Sequence, residues 1–75
     1  MKITLYGLPM CQRCKAAKMM LEKRKELLEK RNIVFENIEL TINDEKAKGE
    51  LPILTVDTDV YTGKDVLLFI RTLKE

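Results

Sequence analysis

The sequence contains no histidine and only two cysteines, and this shortage limits its metal and disulfide chemistry. A structural zinc site takes four ligands, commonly two cysteine pairs or one pair with two histidines. A zinc ion or an iron–sulfur cluster would therefore need two chains, each contributing both of its thiolates. Two cysteines form at most one internal disulfide, which excludes the cysteine-dense scaffolds of small secreted domains.

Long hydrophobic runs and a large excess of one charge are also missing. No window approaches the about 18 consecutive apolar residues of a membrane helix, and the first residues lack the pattern of a secretory signal. The net charge is +2, with 35% charged residues of both signs, which gives no reason to expect a nucleic-acid partner. We therefore expect no nucleic acid, no membrane and a cytoplasmic location, where a lasting structural disulfide is unusual.

The pattern of β-branched and alternating segments predicts four strands in a single domain, residues 1–75. In the second of them the apolar phase slips between Phe35 and Ile38, which predicts either a bulge or burial on both faces. The predicted strands are Lys2 to Tyr6, Ile33 to Leu40, Leu51 to Val56 and Val60 to Thr62.

The segments between and after these strands show the periodicity of helices. From about Cys11 to Arg31 the chain has neither glycine nor proline, and its pattern predicts a continuous amphipathic helix of about five turns. The segment from Lys64 to Glu75 predicts a final helix, and Thr41 to Glu50 leaves room for a short helical turn that ends at Gly49. The order β-α-β-(short α)-β-β-α predicts an α/β fold, a four-stranded mixed sheet with two helices packed on it.

The stretch LPMCQRCKAAKMM places Cys11 and Cys14 three residues apart at the start of the long helix. Residues at this spacing face the same side, with Cα atoms roughly 5 Å apart, which a disulfide accepts. At Cys11 the helix dipole, unpaired N–H groups, Arg13 and Lys15 favour a thiolate, whereas Cys14 lies one turn further in and is less exposed. We predict that Cys11 attacks a substrate disulfide and Cys14 resolves the mixed disulfide.

Two other interpretations of this pair stay open. In one, the protein is a metal-binding module in which the CxxC pairs of two chains share a zinc ion or an iron–sulfur cluster. In the other, the cysteines are small buried apolar residues without chemistry, in an interaction protein. A CxxC between the first strand and the first helix of a βαβ unit favours the redox interpretation, with no bound cofactor or metal.

The stretches LYGLPMCQRC, ELPIL and YTGKD extend this pattern, and nearly the whole chain resembles the glutaredoxins and the similar small redoxins that serve ribonucleotide reductase. The first stretch matches their strand–loop–CxxC segment, with Tyr6 five residues before Cys11. The second matches the segment of their cis-proline and the third the glycine turn before their last helix. The resemblance implies a thioredoxin-like fold, here with a long first helix and a short or missing middle helix.

The resemblance also implies an activity and a substrate-binding strand. It implies reduction of protein disulfides or glutathione mixed disulfides by the Cys11–Cys14 dithiol, as part of electron transport and cell redox homeostasis. It further implies a cis Leu51–Pro52 bond, with Pro52 facing the cysteine pair. The backbone of Leu51 would then pair with an extended segment of the substrate.

The family's glutathione site is only partly present. Leu8 stands where many members carry a lysine for a glutathione carboxylate, and an apolar side chain cannot replace a charge-assisted hydrogen bond. Thr62 and Val66 depart from a usual glycine and a usual acid. The electron donor is therefore open between glutathione and a thioredoxin reductase, and we expect a monomer. The candidate substrate-binding residues are Leu51, Pro52, Arg13, Gly63, Lys64, Asp65 and Tyr6, with Met10 beside them.

Overall fold

The computed structural model describes residues 1–73 and contains one four-stranded sheet with the order β2-β1-β3-β4. The central β1 pairs parallel with β2 and antiparallel with β3, and β3 and β4 form an antiparallel hairpin. This is the predicted α/β architecture. The strands are β1 (Lys2–Gly7), β2 (Val34–Glu39), β3 (Ile53–Val56) and β4 (Asp59–Thr62); the helices are α1 (Gln12–Lys23), α2 (Lys25–Lys30), a 3₁₀ helix (Glu45–Lys48) and α3 (Lys64–Arg71).

The edge strand β2 explains the slip in its apolar pattern. Its register with β1 runs without interruption, so the alternative of a bulge is wrong. Phe35 pairs with Ile3, whereas Ile38 pairs with Tyr6. Because side chains alternate along a strand, Phe35 and Ile38 point to opposite faces of the sheet, and both are half-buried. The predicted alternative of burial on both faces is confirmed.

The predicted continuous helix from Cys11 to Arg31 is wrong at Arg24, where α1 ends and α2 begins. The backbone of Arg24 has φ −100° and ψ 12°, and its N–H donates to the carbonyl of Leu21 at 3.0 Å. Its guanidinium holds this break in place: Nε donates to the carbonyl of Leu73 at 3.1 Å, and Nη1 donates to that of Met20 at 3.0 Å. A contact with the far end of the chain therefore interrupts the helix.

The middle of the chain contains the short helical turn that the sequence predicts. A 3₁₀ helix covers Glu45–Lys48 and ends at Gly49. Asp44 caps it, since its Oδ1 accepts a hydrogen bond from the N–H of Lys46 at 3.0 Å. The final helix, α3, ends at Arg71 rather than Glu75, and residues 74–75 of the predicted helix lie outside the described residues.

The core lies between the helices and one face of the sheet. This face carries apolar side chains of β1 and β3, and the helices contribute the apolar positions expected from their periodicity. None of the helices in residues 1–73 is long and apolar enough to cross a membrane. The buried core residues are Ile3, Leu5, Ala17, Leu21, Leu28, Leu54, Val56, Val66, Ile70 and Leu73.

Candidate functional site

The sheet brings three separate parts of the chain to one of its ends. Tyr6 near the end of β1 pairs with Ile53 at the start of β3, and Ile53 pairs with Thr62 at the end of β4. The loop into α1, the segment before β3 and the start of α3 therefore converge at this end. It is here that the structure places the two cysteines, Pro52 and Gly63.

Cys11 is the residue that caps α1. It lies just before the first helical residue in extended backbone, with φ −83° and ψ 115°. Its Sγ accepts a hydrogen bond from the N–H of Cys14 at 3.2 Å, so the sulfur occupies the position of a capping acceptor at the positive end of the helix dipole. The side chain is half-buried. The predicted placement of Cys11 at the start of the helix is confirmed.

Cys14 lies behind Cys11, with 5% of its surface exposed, as the sequence predicts. It packs against Gly7: a Cβ atom on Gly7 would lie 2.7 Å from Cβ and 2.9 Å from Sγ of Cys14, so only glycine permits this approach. Burial, with smaller contributions from the hydrogen bond to the Cys11 sulfur and from its charge, raises the pKa of the Cys14 thiol to about 11. Cys14 is therefore protonated at neutral pH, and both cysteines are free thiols.

The peptide bond between Leu51 and Pro52 is cis, as the resemblance implies. The ring of Pro52 is fully buried, and its carbonyl accepts a hydrogen bond from the N–H of Gly63 at 2.9 Å. This bond connects the segment before β3 to the start of α3. Leu51 is half-buried. Its pairing with a substrate backbone stays a prediction.

Two side chains of opposite charge converge on Gly63. This residue caps α3 with a positive φ of 57° and provides no side-chain cap. A Cβ atom on Gly63 would lie 2.6 Å from Oε2 of Glu50 and 3.5 Å from Nη1 of Arg13. Of the predicted site residues, Arg13 and Gly63 are thus neighbours, whereas Lys64 and Asp65 are exposed on the first turn of α3.

Glu50 is the site residue that the sequence analysis missed. It stands two positions before Pro52, in the stretch ELPIL that carries the resemblance. Nothing in its spacing pointed to Gly63, which is thirteen residues further along the chain. The only signal available was an acidic residue directly beside the predicted substrate-binding strand.

Tyr6 and Met10, the two predicted neighbours of the cysteines, differ in their surroundings. The ammonium group of Lys46 lies 5.2 Å from the centroid of the Tyr6 ring, a cation–π contact that packs the 3₁₀ helix onto the end of β1. Met10 directly precedes Cys11 and is 90% exposed. The residue next to Cys11 in the sequence thus has an apolar side chain that is exposed to solvent.

A cleft of about 170 Å³ reaches Cys14 between α1 and the parallel pair of strands. In residues 1–73, no group of three or more histidine, cysteine, aspartate or glutamate side chains is placed to hold a metal ion. Nothing observed supports the alternative of a metal shared between two chains. The cleft is lined by Leu5, Gly7, Leu8, Pro9, Cys14, Lys15, Lys18, Asn37 and Glu39.

Comparisons with known proteins agree with this geometry at the level of the fold. No model of a protein family and no curated protein matches the sequence. Among solved structures, NrdH-redoxin from Escherichia coli, a glutaredoxin-like protein with a thioredoxin-like activity profile, is 24% identical, with a TM-score of 0.59 over 100% of this chain and 97% of that one. A malarial protein is 18% identical, with a TM-score of 0.58 over 99% and 97%.

These likenesses cover both chains almost completely, so they concern the whole arrangement of strands and helices. Together with the mixed sheet and the CxxC at the start of α1, they confirm the predicted fold. This chain has a thioredoxin-like fold.

Proposed function

We propose that this protein is a small thiol–disulfide oxidoreductase that uses the dithiol Cys11-Gln12-Arg13-Cys14 to reduce disulfides. The observation that carries the proposal is the asymmetry of the pair. The Cys11 sulfur is half-buried at a helix N-terminus and accepts a backbone N–H, whereas Cys14 is buried and protonated. An outer nucleophile with a protonated thiol behind it suits thiol–disulfide exchange.

The reaction proceeds in two exchanges. The Cys11 thiolate attacks one sulfur of a substrate disulfide, a mixed disulfide forms, and the first substrate sulfur leaves and takes up a proton. Cys14 then loses its proton and attacks the Cys11 sulfur, which releases the second substrate thiol. The substrate gains two electrons and two protons, and the protein is left with a Cys11–Cys14 disulfide. Glutathione or a thioredoxin reductase returns the two electrons.

The pKa of Cys14 contributes to the order of these steps. Burial is the main cause of its rise, and the charge of the Cys11 sulfur contributes a smaller part. When Cys11 forms a mixed disulfide, its sulfur loses this charge and the pKa of Cys14 falls. The resolving thiol is thus easier to deprotonate once there is a mixed disulfide to resolve.

The substrate is a disulfide on a polypeptide or a mixed disulfide with glutathione. An extended substrate segment pairs with the backbone of Leu51 beside the cis Pro52, at the end of the sheet where the cysteines lie. The residues that surround the bound substrate are Arg13, Gly63, Lys64, Asp65 and Tyr6.

Reduction of a protein disulfide tests this function. With dithiothreitol as reductant and insulin as substrate, we expect the wild type to accelerate reduction and Cys11→Ser to stay at the background rate. When pre-reduced Cys14→Ser is mixed with insulin without dithiothreitol, a mixed disulfide should accumulate and be visible by intact mass, because the variant has no second thiol to resolve it. Full activity of Cys11→Ser would refute the proposal and favour an interaction protein. Thiols that react only after a chelator is added would favour the shared metal site.

A further inference from the structure

The carboxylate of Glu50 and the guanidinium of Arg13 meet in the space that the missing side chain of Gly63 leaves open. Oε2 of Glu50 lies 2.6 Å, and Nη1 of Arg13 3.5 Å, from the Cβ position of Gly63. Any other residue at this position would displace the carboxylate and would also require a positive φ. The glycine therefore makes room for Glu50.

This arrangement offsets the positive charge of Arg13 at the start of α3, at the end of the sheet where the cysteines lie. Arg13 lies between the two cysteines in the sequence. Its guanidinium extends to Gly63, the residue that precedes α3. With a carboxylate of the same chain beside it, the guanidinium attracts a substrate anion less strongly. The carboxylate itself repels such an anion.

The backbone position of Glu50 places this charge next to the substrate. Glu50 directly precedes Leu51 and Pro52, the proposed substrate-binding segment, and Pro52 is hydrogen-bonded to Gly63. Directly before Cys11, the exposed Met10 offers an apolar contact. The segment that precedes Cys11 is therefore apolar, and the segment that precedes Pro52 carries a negative charge.

We propose that Glu50 is a specificity-determining residue that disfavours anionic disulfides, so that the site prefers neutral or basic disulfide-containing segments of polypeptides. This inference rests on the proposed oxidoreductase function and specifies its substrate class. Glutathione disulfide, which is anionic, is then a poor substrate because of a charge that the protein itself supplies.

Single-turnover oxidation with three small disulfides of different charge tests the inference. The pre-reduced protein is mixed with hydroxyethyl disulfide (neutral), oxidised glutathione (anionic) or cystamine (cationic), and free thiols are trapped by alkylation and counted by mass. Each turnover converts one dithiol and one small disulfide into the Cys11–Cys14 disulfide and two small thiols, so no other reductant is needed.

We expect Glu50→Gln to raise the rate with oxidised glutathione, relative to the neutral disulfide, by about three- to fivefold, as one nearby surface charge can do. Glu50→Lys should raise this ratio further and lower the relative rate with cystamine. Both changes should shrink in high salt, since screening weakens a charge effect but not a change of shape.

Glu22 provides the matched control. It lies on α1 about 12 Å along the helix from Cys14, it is exposed, and Glu22→Gln and Glu22→Lys make the same charge changes. These variants should keep the wild-type rate ratios. If Glu50 and Glu22 variants behave alike, or if Glu50→Gln leaves the ratio unchanged, the specificity role is refuted while the oxidoreductase stands. If the wild type reacts with none of the three disulfides, the proposed function itself fails, and the inference with it.

Discussion

Cys11 and Cys14 carry the same thiol group in very different surroundings. The Cys11 sulfur is at the surface end of α1 and accepts a helix N–H, whereas Cys14 is packed against the backbone of Gly7. Burial, together with the neighbouring sulfur, raises the pKa of Cys14 to about 11. Cys11 is therefore the more accessible of the two sulfurs, and Cys14 is buried behind it.

We predict that replacing Cys11 by alanine lowers the pKa of Cys14. The variant removes the sulfur charge and hydrogen bond that contribute to the rise, while burial stays, so the thiol should titrate between its ordinary 9.0 and about 11. Thiolate absorbance near 240 nm, followed against pH, measures this directly. A pKa of Cys14 at or below 9.0 would show that burial contributes nothing.

The same shift makes the stability of the reduced protein depend on pH. Because folding raises the pKa of Cys14, the stabilising contribution is fully present below about 9 and is lost as pH rises towards 11. As pH rises across this range, the unfolding free energy of the wild type should therefore fall relative to that of Cys14→Ala. Urea unfolding at several pH values measures the difference, and a constant difference would contradict the account.

Gly7 is a second residue whose identity follows from contact with Cys14. We expect Gly7→Ala to lower the unfolding free energy by about 1–3 kcal/mol, because the added Cβ would overlap the Cys14 side chain. Gly49→Ala is the control, since nothing lies within 4 Å of its Cβ position and its effect should stay within about 0.5 kcal/mol. Equal effects in urea unfolding would mean that Gly7 is not required for close packing.

The placement of the cysteines could be predicted from the sequence, whereas the position of Glu50 could not. The CxxC spacing and its place between strand and helix are local properties, and local properties are readable from sequence. Glu50 reaches Gly63 because β3 and β4 form a hairpin and the cis Pro52 bonds to Gly63, so its position depends on the assembled fold.

At the scale of elements, the break between α1 and α2 shows a tertiary contact that overrides local preference. The segment from Cys11 to Arg31 contains neither glycine nor proline, so its sequence predicts one helix. Arg24 instead directs its guanidinium to the carbonyls of Met20 and Leu73. Leu73 is 49 residues away in the chain, which is why no local pattern indicates the break.

We predict that Arg24→Ala destabilises the protein by about 1–2 kcal/mol, because two carbonyls at helix ends lose a charged donor. The amide of Leu73, which donates to Ile70 at the end of α3, should exchange faster with solvent. Urea unfolding and hydrogen exchange measure the two effects. Lys23→Ala, which removes a neighbouring exposed charge, is the control and should change neither; equal effects would contradict the proposed link.

At the scale of the whole molecule, the strand order determines where the candidate site lies. Because β1 and β4 run in the same direction and β3 runs opposite to both, the start of α1, Pro52 and the start of α3 lie at one end of the sheet. The element order predicts this end from sequence, through the parallel βαβ unit and the hairpin. The solved structures that match over nearly the full chain show the same fold.

A redox titration of the intact protein tests the central claim most directly. The protein is equilibrated in dithiothreitol or glutathione buffers of defined potential, alkylated and weighed. We expect a reversible two-electron loss that joins Cys11 to Cys14, with a midpoint between about −280 and −180 mV, the range from thioredoxin to protein disulfide isomerase. If no reversible disulfide forms between these two residues, the oxidoreductase account is wrong.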